Sequence, residues 1–147
     1  MNQATEKQCA VAVVREVRTY VNEYNRGDFD ACVMHYSFPF SYVSARGVTW
    51  VNSRQEFLRT WPENQARMKA AGWGSSGYIE HNVTFLGEAI ALESHVLVRY
   101  DTAGGEMERT GSTFVVRREG EAWRFTSCLQ HRPEDMIRTG MTVPALG

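Results

Sequence analysis

A chain of 147 residues, 43% hydrophobic and 22% charged, has the make-up of one globular domain, long enough to bury about 70% of its unfolded surface. Its net charge is −1, and no basic cluster is denser than Arg117-Arg118. That excludes the concentrated basic face of a nucleic-acid binder and offers no attraction to an anionic membrane. Cys9, Cys32 and Cys128 are odd in number, widely spaced and free of any CxxC, which fits reduced thiols in a cytoplasm.

The N-terminal apolar run, Cys9–Val14, is only six residues long before Arg15 interrupts it, too short for a signal-peptide core. Nothing downstream approaches a membrane span. A soluble, cytoplasmic protein is expected. Val14, Val17, Val21 and Tyr24 fall at helical spacing and predict an amphipathic helix ending near Gly27. Asp28 can cap a short second helix through about His35, with Phe29, Cys32 and Val33 on its apolar side.

The stretch HYSFPFSYVS at 35–44 puts Tyr36, Phe38, Phe40 and Tyr42 on one face of a strand. Such a face is either the rim of a core or the wall of a cavity. Pro39 cannot donate to a ladder, so the strand is expected at an edge or at a bulge. Val48–Val51 is a partner strand across the turn at Ala45-Arg46-Gly47. SRQEF at 53–57 reads as a capping box opening a helix to about Ala71, kinked or divided at Pro62.

GWGSSG at 72–77 matches G-x-G-x-x-G, but it follows a helix and precedes a strand, the reverse of the dinucleotide-binding order. It reads as a helix cap and connector. From there the pattern has period two, with strands Tyr78–Leu86, Ala89–Asp101, Met107–Arg118 and Trp123–His131 joined by glycine turns. Three hairpins make an antiparallel meander, and helices followed by a curved antiparallel sheet make an α+β domain. The whole chain, 1–147, reads as a single domain with its core at about 8–132 and a loosely held tail at 133–147.

His35, His81, His95 and His131 do not have the spacing of HExxH or a zinc finger, so no metal site is expected unless distant strands assemble one. A two-residue turn at Gly87-Glu88 sets Glu80 opposite His95, Asn82 opposite Glu93 and His81 opposite Ser94. A carboxylate opposite an imidazole orients the ring as a general base requires. The same pairing also suits an ordinary solvated face. His81 reads as a hydrogen-bonded core histidine. Tyr36, Phe38 and Tyr42, facing a helix that carries Phe57, Trp61 and Met68, would close the mouth of a cavity with Cys128 inside it.

The pieces "YNRGDFDACVMHYSFPF", "SRQEFLRTW", "FLGEAIALESHVLVRYDTAGGE" and "TFVVRREGEAWRFTSC" resemble the nuclear transport factor 2-like superfamily in its SnoaL-like bacterial branch, over about residues 8–132. The resemblance implies a cystatin-like cone, with helices over a curved sheet around an apolar pocket, often dimeric; a homodimer paired through the sheet face is expected here. Enzymes of the superfamily include ketosteroid isomerases, polyketide cyclases, dehydratases and epoxide hydrolases. The isomerase carboxylates correspond to Ser44 and to Ser112 or Thr113 here, and the hydrolase set to His95, Leu97 and Cys128, so neither acid-base set is present. Arg99 and Asp101 keep the hydrolase spacing but fall near a turn.

A binding protein for a small apolar molecule is therefore expected, using no cofactor. If catalytic, it acts as an isomerase, cyclase or dehydratase with His95 as base and Glu80 as its partner. Tyr36, Phe38, Tyr42, Trp61, Met68 and Cys128 would contact the ligand. The contrasting reading is a dimeric binding or scaffold protein without turnover.

Overall fold

The computed structural model describes residues 1–144; residues 145–147 of the predicted tail lie outside the described residues. Three helices, α1 (Gln3–Asn25), α2 (Phe29–Cys32) and α3 (Arg54–Ala70), pack over a curved seven-stranded sheet. The strands are β1 (Tyr36–Ser44), β2 (Gly47–Val51), β3 (Trp73–Phe85), β4 (Ile90–Asp101), β5 (Glu106–Glu119), β6 (Ala122–His131) and β7 (Met141–Val143), in the order β2-β1-β6-β5-β4-β3-β7. Strands β3 to β6 form the expected meander, and β1 joins it in parallel with β6. Among the described residues, no helix is long and apolar enough to cross a membrane.

Each helix starts where a polar side chain can accept a free backbone N–H. Asn2 Oδ1 accepts from Thr5 N at 2.9 Å and opens α1, whose Ala10, Val13, Val14, Val17 and Val21 form one buried stripe. Ser53 Oγ accepts from Glu56 N at 3.1 Å as the cap, and the Glu56 carboxylate reaches back past Ser53 to accept from Asn52 N at 2.9 Å. Pro62 does not divide α3, which runs as one helix with the proline inside it. Gly72 ends it at φ +103°, and strand geometry begins at once with Trp73. The 72–77 connector is therefore mostly strand. The Trp73 ring is buried and its indole N–H donates to Ser76 Oγ at 2.9 Å.

Pro39 lies where the pairing of β1 with β6 shifts register, between Tyr36 and Ser41. The bulge was the correct alternative, because the edge position belongs to β2. Three cysteines are free, and burial pushes the thiols of Cys32 and Cys128 up to about 12.

Over the described residues 133–144 the tail is tied to the sheet. From Arg132 it crosses the outer face of the sheet and adds β7 beside β3. Ile137 N donates to Ser94 Oγ at 3.0 Å, the first of a series of short contacts from Ser94 to Thr113 (2.8 Å) and from Thr113 to His131 (2.8 Å). Gly140 N donates to Asn82 Oδ1 at 2.9 Å, and Met136 and Val143 are buried. These anchors lie far along the chain from their partners, so local periodicity carries no trace of them.

A methyl group at Gly140 would stand 2.3 Å from Thr84 Oγ1 and 2.4 Å from Val83 O. Gly140→Ala is expected to lift β7 from β3 and cost about 1–3 kcal/mol, the usual range for overpacking. Urea denaturation checks the loss, and amide exchange at Met141–Val143 should accelerate with it.

Candidate functional site

The helices and the concave face of the sheet enclose a cavity of about 570 Å³, within the range of small-molecule sites. Its helical wall carries Tyr20, Tyr24, Trp61 and Met68; its sheet wall carries Tyr36, Phe40 and Tyr42 from β1, Tyr78 from β3 and His95 from β4. Phe114 and Cys128 line it from β5 and β6. The aromatic face of β1 is both core and wall. Tyr36 and Phe40 are almost fully buried, yet both border the hollow.

Packing among the rings holds this wall in place. Phe57 and Trp61, one turn apart on α3, stack at 4.0 Å, and Trp61 donates its indole N–H to Tyr20 Oη at 3.0 Å. Tyr36 meets Phe40 edge-on at 4.8 Å and Phe125 at 5.2 Å. Burial raises the phenols of Tyr36 and Tyr78 well above their usual range and that of Tyr42 to about 12, so all three are neutral hydrogen-bonding groups at physiological pH.

Of the residues assigned to this wall from sequence, Tyr36, Tyr42, Trp61, Met68 and Cys128 line the cavity. Phe38 does not; it packs behind the wall against Tyr36 and Phe57. Cys128 borders the hollow as a thiol, since burial opposes its ionisation.

The expected pairing of β3 with β4 is one residue out of register. Leu86 N donates to Ile90 O, so the turn holds three residues and Leu86 opposes Ile90 rather than Ala89, with Phe85 opposite Ala91. His81 therefore faces His95, Asn82 faces Ser94 and Glu80 faces Val96. A one-residue slip exchanges the two faces of a strand relative to its neighbour. Glu80 lies on the outer face, bonded to Arg138 at 2.8 Å, and is not the partner of His95. A bulge at Ile79 then restores the parity that brings Tyr78 to the concave side.

The partner of His95 is Glu93. The two are alternate residues of β4 and so share a face whatever the register. His95 Nδ1 lies 2.6 Å from Glu93 Oε1 and 2.8 Å from Oε2. Glu93 and His81 are wholly buried, and His95 is 2% exposed. Burial works against the Glu93 charge, but the adjacent His95 and His81 imidazoles outweigh it and hold the carboxyl below its usual range. Tyr78 packs over both imidazoles, at 4.8 Å from His81 and 4.7 Å from His95. With Nδ1 engaged, Nε2 is the His95 nitrogen left to an occupant of the cavity. The E-x-H pattern at 93–95 was the available signal for this pair.

A second hollow of about 510 Å³, between the start of α1 and β7, is an open surface depression whose only charged lining residue among the described residues is Lys7. It offers no comparable chemistry.

Residues 12–133 match the family profile described as NTF2-like protein (DUF6841). The chain belongs to this family. No curated protein matches it in sequence. Among solved structures it is similar to an NTF2-like protein with a cystatin-like fold from Novosphingobium aromaticivorans DSM, at 16% identity over 87% of this chain and 82% of that one, TM-score 0.65. A ketosteroid isomerase-like protein from Erwinia carotovora atroseptica SCRI1043 matches at 13% identity over 82% and 93% of the two chains, TM-score 0.58. A candidate scytalone dehydratase from Novosphingobium aromaticivorans DSM 12444 matches at 12% identity over 99% and 93%, TM-score 0.62. At these identities the likeness is one of fold, and this NTF2-like chain carries its own side chains in the shared hollow.

Proposed function

We propose that this NTF2-like protein binds a small, mainly apolar molecule bearing a carbonyl in its aromatic cavity and moves a proton on it. His95 Nε2 is the general base, and Glu93 is the positioning residue that fixes the ring and its tautomer through Nδ1. The observation that carries this reading is the contact of 2.6 Å between a buried carboxylate and an imidazole bordering a 570 Å³ cavity. A base held in this way needs no cofactor. Isomerase- and dehydratase-like neighbours of the same fold are compatible with such a role. Tyr36 and Tyr42, both neutral and on the wall, would orient the substrate oxygen.

The test uses metal-free protein and a panel of cyclic ketones and lactones, first by thermal shift and then by exchange of α-protons into D2O followed by NMR. Ligands that raise the melting temperature should also exchange faster with the protein present. His95→Gln is expected to slow that exchange about 10²–10⁴-fold while leaving ligand affinity within a few-fold. If no compound stabilises the protein, or exchange is indifferent to His95, the reading fails.

We also propose that the protein pairs with a second copy through the outer sheet face. Ile90 and Leu129 are exposed there, beside half-buried Leu92 and Val115. Sedimentation at low micromolar concentration should give twice the chain mass, and a monomer under those conditions would remove this part.

A further inference from the structure

The pairing of His81 with His95 leaves one group unexplained. His81 is fully buried, yet neither ring nitrogen has a hydrogen-bond partner among the described residues, and its Nδ1 stands 3.6 Å from Glu93 Oε2, beyond hydrogen-bond range. Buried polar groups are almost always satisfied, and an orphaned imidazole signals a missing partner. His81, Glu93 and His95 each offer a donor atom, and the three atoms lie within 4.8 Å of one another.

We propose that His81, Glu93 and His95 bind one divalent transition-metal ion of the zinc or ferrous type at the floor of the cavity. Two imidazoles and a carboxylate form the borderline donor set such ions prefer over magnesium or calcium, which take oxygen ligands. The sheet supplies the arrangement. Glu93 and His95 are alternate residues on one face of β4, and His81 sits directly across from His95 on β3. Rigid neighbouring strands thus hold three donors together without a loop rearrangement. Three protein ligands leave one coordination position for a water molecule.

This site goes beyond the proton-transfer reading and does not depend on it. In the metal-free protein the short Glu93–His95 contact is a hydrogen bond, and an ion takes its place, releasing the bridging proton to solvent. Metal-bound and base-competent forms are therefore alternative states of one cluster. The absence of a linear motif hid the site, because its ligands come from two strands and meet only in the folded sheet. His81 separates the two readings, since it belongs to the metal set and makes no hydrogen bond to the Glu93–His95 pair.

The experiment is refolding of the full chain with Zn²⁺ or Co²⁺, exhaustive dialysis, metal analysis, and visible absorption of the cobalt form. Wild type should retain one ion per chain, show cobalt ligand-field bands, and melt at higher temperature with Zn²⁺ than with chelator. His81→Leu should lose the bound ion, the bands and the zinc-dependent rise in melting temperature. Without metal it should melt at least as high as wild type, because it removes an orphaned buried imidazole. Should His81→Leu fail to fold, His81→Asn and Glu93→Gln serve the same comparison. Wild type that retains no ion, or variants that retain it equally, overturn the proposal.

Discussion

Glu93→Ala is expected to lower the stability of metal-free protein by about 3–5 kcal/mol, read from the urea midpoint at unchanged m. The size of the loss follows from where the charge sits. Glu93 is wholly buried, its carboxylate accepts from His95 at 2.6 Å, and a second buried imidazole stands 3.6 Å away. Removing the carboxylate leaves the His95 Nδ1 proton in the interior with nothing to accept it and takes the nearby negative charge from His81, in addition to leaving a void. Replacing His81, Glu93 and His95 together by Leu should behave differently. An apolar trio of similar volume has no desolvation cost to recover, so the triple variant is expected to be as stable as wild type or more so. It should also have neither proton-transfer activity nor bound metal. The contrast separates two roles: a cluster kept for stability should lose it when replaced whole, and one kept for chemistry should not. A Glu93→Ala loss below about 1 kcal/mol would mean that the cluster is hydrated and the pair contributes little.

Much of the architecture was legible because it depends on local signals. Val14, Val17 and Val21 at helical spacing, the Ser53–Glu56 box and the period-two strands after Gly72 all correspond to elements of the structure. The aromatic face of β1 was legible as well, since alternation alone places Tyr36, Phe40 and Tyr42 together. What was lost turned on a single residue of turn length. A glycine in first place suggests a two-residue turn, the chain uses three, and the carboxylate bonded to His95 is Glu93, not Glu80. The in-strand pair at 93–95 was insensitive to that slip. The cross-strand partner His81 and the Ile79 bulge could be recovered only from the folded sheet. The attachment of residues 133–144 left no trace for a different reason: its anchors at Asn82 and Ser94 are tertiary, and a three-residue edge strand leaves almost no pattern.

Raising the pH through and above neutrality is expected to destabilise the protein, and His35 is the main group responsible. The ring lies between two carboxylates of α1: Nδ1 is 2.6 Å from Glu16, and Nε2 bonds Glu23. Only the doubly protonated imidazolium can donate to both. Arg124 also bonds Glu16, at 2.9 Å, and Tyr20 and Phe125 pack against the ring, so one cation ties α1 to the start of β1 and to β6. Burial alone would depress the His35 pKa, but the hydrogen bonds and charges of Glu16 and Glu23 outweigh burial and raise it above 6.5. The sign follows from proton counting. Between 6.5 and the folded value the native state holds more protons than the unfolded chain, so stability falls as pH rises. The contribution is complete below 6.5 and is lost as pH passes through the folded pKa. His35→Gln can satisfy at most one carboxylate well. It should cost about 2 kcal/mol near pH 6 and progressively less as the pH rises above 6.5 through the raised folded value. Melting temperatures of the two proteins across that span check the result: the curves should converge with rising pH, and parallel curves would mean that His35 is not charged in the native state.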